Sequence, residues 1–349
     1  MKRDLFLLVF VLISLFSSCR YRTAPDQVGV SKAVASGQIS LGGIIAEQLV
    51  EEHPENHNNE TREHNLAQAT NKLIIKTEEL KNRNRTIKTE NLIRDWETLQ
   101  ETITDRFEQL TAEDIRLWVA WNDSLLKYTG QVWFADELER MFYNAPIPDV
   151  ITEEQVKSVC YTRLYDRIYV NIYGSSAIEY EHTTGGKIRM IQDTKYPYDG
   201  SIRLRFEMQD TRYLDLFIRI PEWADRASVT VKGVKYNVIA GQFTEVAKKW
   251  KNGDEVEIIL GMRPNVIRSM GNKLAFTYGP LFLTYVKPFH ELPVFPESDP
   301  IRHLQFVSPP GTIPTFTFSG IPREALALQP YFAERDSAEV RTAWIKTAD

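Results

Sequence analysis

The sequence predicts an α+β chain, a small helical region followed by an antiparallel β-sandwich. Three observations predict it. Short stretches of alternating apolar and polar residues recur from Arg167 to Pro288, broken by turn-forming Gly, Asp and Asn. Before them, Leu92, Trp96, Leu99, Ile103 and Phe107 fall on one face at helical spacing. A polar tract separates both from an apolar N-terminal run, so the 349 residues divide into segments 1–19, 20–65, 66–150 and 160–349.

Taken in order, Lys2-Arg3 precede the apolar run Leu5 to Phe16, too short to span a bilayer comfortably and suited to a signal-peptide core. Leu15-Phe16-Ser17-Ser18-Cys19 resembles a bacterial lipobox, which implies that Cys19 is lipidated and holds the mature chain on a membrane of the cell envelope. The alternative is an ordinary cysteine after a cleaved secretory signal. With Cys19 lipidated, Cys160 has no intrachain partner and no disulfide framework is expected.

Residues 20–65 read as a tether. Glu47 to Glu63 is dense in Glu, Asn and His and carries too little apolar surface to offset chain entropy. His53, His57 and His64 lie beside Glu51, Glu52 and Glu55, but nothing rigid holds them in a coordination geometry, so a solvated linker is expected. Lys76 to Lys88 is charged and reads as a solvated helix face. The stripe from Leu92 to Phe107 needs a partner, which the segments Ile115 to Leu126 and Phe134 to Phe142 supply as a helical hairpin. An exposed apolar patch for a protein partner is the alternative.

The strands follow. Ile168 to Tyr173, Lys187 to Ile191, Ser201 to Phe206 and Leu214 to Ile220 alternate and favour β-branched and aromatic residues. Gly185-Gly186 and Tyr198-Asp199-Gly200 separate them. Val229 to Lys235 predicts a hairpin pivoting on Gly233, and Lys251-Asn252-Gly253-Asp254 a tight turn into Glu255 to Leu260. Two sheets packed face to face are the expected result.

The order of certain segments carries a family resemblance. They are Ile168-Tyr169-Val170-Asn171-Ile172-Tyr173, Gln192 to Gly200, Leu216-Phe217-Ile218-Arg219-Ile220-Pro221-Glu222-Trp223-Ala224, Trp250-Lys251-Asn252-Gly253-Asp254 and Ala275 to Leu281. Together they resemble the C-terminal part of glycoside hydrolase family 127, the non-reducing-end β-L-arabinofuranosidases. Trp121 to Gly130 with Phe134 to Asn144 is similar to the last helical hairpin of that family's (α/α) barrel, and Leu328 to Ala333 to its closing segment. The resemblance covers roughly Trp118 to the C-terminus. It implies that residues 66–150 are the remnant of an α/α toroid, since about ninety residues between Thr61 and Val150 suffice for about four helices and not for a closed ring.

The family is expected to hold zinc through a Glu-x-Cys pair and a Cys-Cys pair, one thiolate attacking the sugar. The matching stretch here reads Thr111-Ala112-Glu113-Asp114-Ile115, with carboxylates and no sulfur, and Cys160 lies too close to the first strand to match the second pair. No cofactor is therefore expected. Glu113 is the one weak catalytic candidate. In the sandwich, Glu179, Glu181, Asp193, Asp199 and Glu222 are carboxylates of the kind glycoside hydrolysis pairs across a bond, though turn and capping roles account for Asp199 and Glu222. Tyr196, Tyr198, Trp223 and Trp250 fall at strand ends or loops, where flat rings can stack on sugars; core and corner packing explains them equally well.

A net charge of −5 without a basic stripe argues against nucleic acid. Two functions are expected from different classes. One is a lipid-anchored, non-catalytic protein that binds a plant-type glycan or oligosaccharide, or a partner glycosidase chain. The other is an active glycosidase of arabinofuranosyl or related glycosides, with a rebuilt carboxylate site or a complementing chain.

Overall fold

A computed structural model describes residues 70, 72–74, 89–147, 149–269, 273–287, 300–309, 312–319, 327–331 and 340–346. Cys19, the apolar N-terminal run and His53, His57 and His64 lie outside the described residues. Among the described residues no helix is long and apolar enough to cross a membrane.

Helix α1 (Thr89–Asp105) runs into a 3₁₀ turn, Phe107–Gln109. Trp96, Leu99, Ile103 and Phe107 of its stripe are buried, as the spacing predicts; the side chain of Leu92 is not described. Their partner is the hairpin of α2 (Ala112–Thr129) and α3 (Val132–Asn144). Helix α2 starts sharply because Thr111 and Asp114 form a reciprocal capping box, and stops at Gly130 in the left-handed region, φ 68°. Trp96 stacks on Trp118 at 6.0 Å between ring centroids and meets Phe134 edge-on at 5.2 Å. The indole N–H of Trp96 donates to Asn122 and that of Trp118 to Glu137, each at 2.7 Å, so the polar ends of the buried rings are satisfied. The stripe is therefore covered by the hairpin, and the alternative of a free apolar patch is not what the fold shows.

Helix α4 (Glu153–Cys160) leads directly into β1 (Tyr161–Leu164). Two sheets then form the sandwich. One has strand order β1, β2 (Arg167–Val170), β6 (Arg212–Ile220), β9 (Gln242–Trp250). The other has β3 (Ser176–Glu181), β4 (Lys187–Thr194), β5 (Ser201–Met208), β10 (Glu255–Ile259), β7 (Ser228–Val231), β8 (Val234–Tyr236). Strict alternation sends Ile168, Val170, Leu214, Leu216 and Ile218 inward from the first sheet. Ile188, Met190, Leu204, Phe206 and Ile258 answer from the second. Lys232 and Gly233 both take positive φ in the two-residue turn of the β7–β8 hairpin, which is why a glycine was legible there.

Two features differ from the expected antiparallel sandwich. Strands β2 and β6 pair in parallel, because the chain crosses to the other sheet for β3 to β5 before returning. The strands after Leu260 also form a separate sheet with its own core: β11 (Pro264–Ser269), β12 (Lys273–Tyr278), β13 (Leu281–Lys287) and, past the short ribbon β14–β15 (Leu304–Phe306, Phe316–Phe318), β16 (Gln329–Pro330). The stretch 160–349 thus holds two β assemblies. Gly200 marks a tight seam in the first. A Cβ there would lie 1.9 Å from the carbonyl oxygen of Leu260, whose N–H donates to Gly200 O at 2.8 Å, so only glycine fits.

Candidate functional site

Helix α3 is the hub that ties the helices to both β assemblies. Arg219, on the face of β6 opposite the sandwich core, is 0% exposed and ion-pairs with Asp136 and Glu139 of α3. Asp136 also accepts the backbone N–H of Glu222 at 3.0 Å. The guanidinium lies 5.4 Å from the ring centroid of Tyr173, whose hydroxyl donates to the Arg219 carbonyl oxygen. Tyr143 donates to the carbonyl oxygen of Tyr173 at 2.8 Å, and Tyr196 meets both rings edge-on. Two carboxylates share one cation here, and burial pushes the Asp136 carboxyl up to about 6 despite that cation. Burial also raises the phenols of Tyr143, Tyr173 and Tyr196, so all three stay protonated. This cluster is a closed polar strut.

The sequence-derived residues disperse around it. Tyr196 is buried in the strut, and Tyr198 follows it, half-buried, in the turn closed by its N–H to Lys195 O. Trp223 is half-buried, its ring edge against the position of Gly279. Trp250 is 0% exposed: it is the last residue of β9, its ring packs on Phe206 at 4.3 Å and its indole N–H donates to Leu214 O. Trp250 and Tyr196 take the packing reading, and sugar contact through either is corrected. Trp250 does lie at a strand end, as expected, but the charged run through Glu245, Lys248 and Lys249 hides the alternation that turns its ring inward.

The carboxylates serve structural roles. Glu113 is exposed in the first turn of α2, where a negative charge suits the helix N-terminus. Glu179 pairs with Lys187, Glu181 accepts the N–H of Gly186, and Asp193 stands opposite Arg203 across strands. Asp199 accepts the N–H of Ser201 in a turn. Cys160 is 6% exposed, and burial pushes its thiol up to about 11. Thiolate is then on the order of one part in ten thousand at neutral pH, the opposite of what nucleophilic attack or zinc binding needs. Among the described residues no three His, Cys, Asp or Glu side chains gather as a metal site. The donors among the described residues do not fit a zinc centre.

An open groove lies elsewhere, at one end of the first sheet. It has a volume of about 420 Å³ and is walled by Tyr165 and Asp166 of the β1–β2 turn, Arg167 at the start of β2, Thr183 of the β3–β4 turn, and Tyr213 and Asp215 of β6. Tyr165 is 68% exposed and Tyr213 53%. Neither tyrosine stood out in the sequence, since the fold alone brings them together. The available signal was Tyr165-Asp166 between two strands, a turn in which Tyr165 takes φ 54°.

With this geometry in place, comparison with known proteins gives a consistent picture. Residues 167–262 match the family model described as "Beta-L-arabinofuranosidase, GH127 middle domain". No curated protein matches. Among solved structures, one described as a glycoside hydrolase aligns with a TM-score of 0.54 at 20% identity, covering 68% of this chain and 52% of that one. A GH127 β-arabinofuranosidase aligns at 0.54 and 20%, covering 68% and 49%. A GH127 β-L-arabinofuranosidase from Geobacillus stearothermophilus T6 aligns at 0.52 and 18%, covering 82% and 59%. At these identities the structural likeness shows the fold, and the chain spans about half to three-fifths of the length of those proteins.

Proposed function

We propose, from the premise that the sandwich is a GH127 middle domain, that the chain is a lipid-anchored glycan-binding protein of the bacterial cell envelope that does not run the family's thiolate chemistry. The carrying observation is the state of Cys160: the one described cysteine is buried, protonated and without carboxylate or histidine companions that would make it a ligand or nucleophile. The roles seen for the other candidate carboxylates support the same reading, since Glu179 is ion-paired with Lys187, Glu181 accepts the N–H of Gly186 and Asp199 accepts that of Ser201, structural uses that leave no cleft between two of them. A glycan of arabinofuranosyl type is the ligand class that the names of the matched GH127 proteins suggest. Anchoring rests on Cys19 in its lipobox-like context.

Turnover tests this. The purified chain, offered a panel of aryl α- and β-furanosides and pyranosides with and without added zinc, is expected to release no aryl alcohol, and Glu113→Gln is expected to change nothing. Turnover that Glu113→Gln abolishes would overturn the reading in favour of a rebuilt carboxylate site. Separately, Cys19→Ser is expected to move the protein from the membrane pellet to the soluble fraction; an unchanged distribution would remove the anchor from the proposal.

A further inference from the structure

We propose that the groove between Tyr165 and Tyr213 is a saccharide subsite that takes a neutral oligosaccharide, an inference that rests on the glycan-binding reading and gives it an address. The groove is built, not incidental. Behind the wall, next to the lining residue Thr183 in the chain, is His182, itself buried. Its Nδ1 accepts the N–H of Thr184 at 3.1 Å, so Nε2 carries the proton and faces the Tyr213 carbonyl oxygen at 3.0 Å and Asp166 at 3.3 Å. Asp166 accepts both the N–H and the hydroxyl of Thr183, while its own carbonyl oxygen accepts the N–H of Asp215 at 3.1 Å. One buried imidazole therefore ties the turn that carries Tyr165 to the strand end that carries Tyr213. The walls are set before anything binds, which lowers the ordering cost of binding.

The chemistry of the lining selects the ligand class. Tyr165 keeps a bulky ring in solvent on a left-handed backbone, φ 54°, with its carbonyl oxygen held by Arg163 at 2.9 Å. That arrangement gives nothing to the core and costs on the order of 1 to 3 kcal/mol of backbone strain. With Tyr213 it offers two flat apolar faces beside carboxylate acceptors, the arrangement that suits a ring apolar on its C–H face and hydroxylated at its rim. Of the two guanidiniums at the groove, Arg167 already faces Asp215 at 3.4 Å and Arg163 is engaged at the Tyr165 carbonyl oxygen, so both are committed within the protein, which disfavours an anionic ligand. The groove lies at the ends of β1, β2 and β6, and β2 and β6 are each paired on both sides, so an added peptide strand could pair only along β1. The volume lies in the range of small-ligand sites, about 300 to 1,000 Å³.

Affinity electrophoresis and calorimetry with arabino-, xylo- and cello-oligosaccharides test the site on the full chain. Tyr165→Ala and Tyr213→Ala are each expected to weaken Kd about tenfold or more with unchanged Tm. Tyr165→Phe and Tyr213→Phe, which keep the ring faces, are expected to stay within about threefold. Wild-type binding that both alanine variants retain would overturn the groove and leave the glycan-binding reading standing. No wild-type binding to any of these saccharides would overturn that reading, and the groove with it.

Discussion

Arg219→Met is expected to destabilise the chain by about 3 to 5 kcal/mol at neutral pH, because it leaves the wholly buried Glu139 and the largely buried Asp136 without their shared cation. The loss should be visible as an earlier midpoint in urea unfolding followed by tryptophan fluorescence, with an unchanged m-value. The triple variant Asp136→Asn, Glu139→Gln, Arg219→Met should recover much of it, since a polar strut without charge no longer strands an ion. The sign of the pH dependence follows from Asp136. Its folded carboxyl titrates near 6, above the ordinary 3.8, so the folded state binds more protons than the unfolded one between those values. That contribution to stability is fully present below about pH 4 and is lost as pH rises through about 6. Arg219→Met should therefore be least damaging in acid, where the Asp136 carboxyl is protonated. A penalty of similar size from pH 4 to 8 would show that the cluster does not hold the helices to the sandwich by charge.

Asn144→Ala is the second large effect. At the end of α3, Asn144 donates to the Pro280 carbonyl oxygen at 2.8 Å and accepts the N–H of Phe282 at 2.6 Å, closing the start of β13 against the helical core. Removing the amide leaves two buried backbone groups unsatisfied, each worth about 1 to 3 kcal/mol, for a total of about 2 to 6 kcal/mol. Hydrogen exchange should show the damage in β12 and β13 first and in the sandwich of β1 to β10 last. Equal loss of protection everywhere would mean that the two β assemblies unfold as one unit. Glu108 closes the same interface from the 3₁₀ turn, accepting from Tyr331, Thr342 and the N–H of Ala343.

Much of the architecture could be read from residue patterns, and the reasons differ by element. Strands such as Ser201–Met208 alternate cleanly because one face is core and the other solvent. The hairpin of α2 and α3 follows from caps and a left-handed glycine, all local signals. Helix α4 was missed although Thr152 and Gln155 write its capping box. Strand β3 was missed because Ser175-Ser176-Ala177 begins it with weak formers, and β9 because charge obscures its alternation.

The sites were less legible for a topological reason. Arg219 sits at an outward position of an alternating strand, and a reader of the strand alone expects it in water. Its partners lie 83 and 80 residues earlier, on a helix laid over that face. Tyr165 and Tyr213 are separated by a whole crossover between sheets, so nothing local announces that they share a groove. Conversely, Trp250 is a ring whose place at a strand end suggested sugar contact, while its register makes it core, the alternative that its family-like context offered.

The most direct measurement of the account is calorimetric titration of the purified chain with arabino-oligosaccharides, followed by chromatography of the same cell contents. A saturable heat with every oligosaccharide recovered intact is the predicted result. Shortened oligosaccharides in the recovered material, or no heat at all, would contradict it.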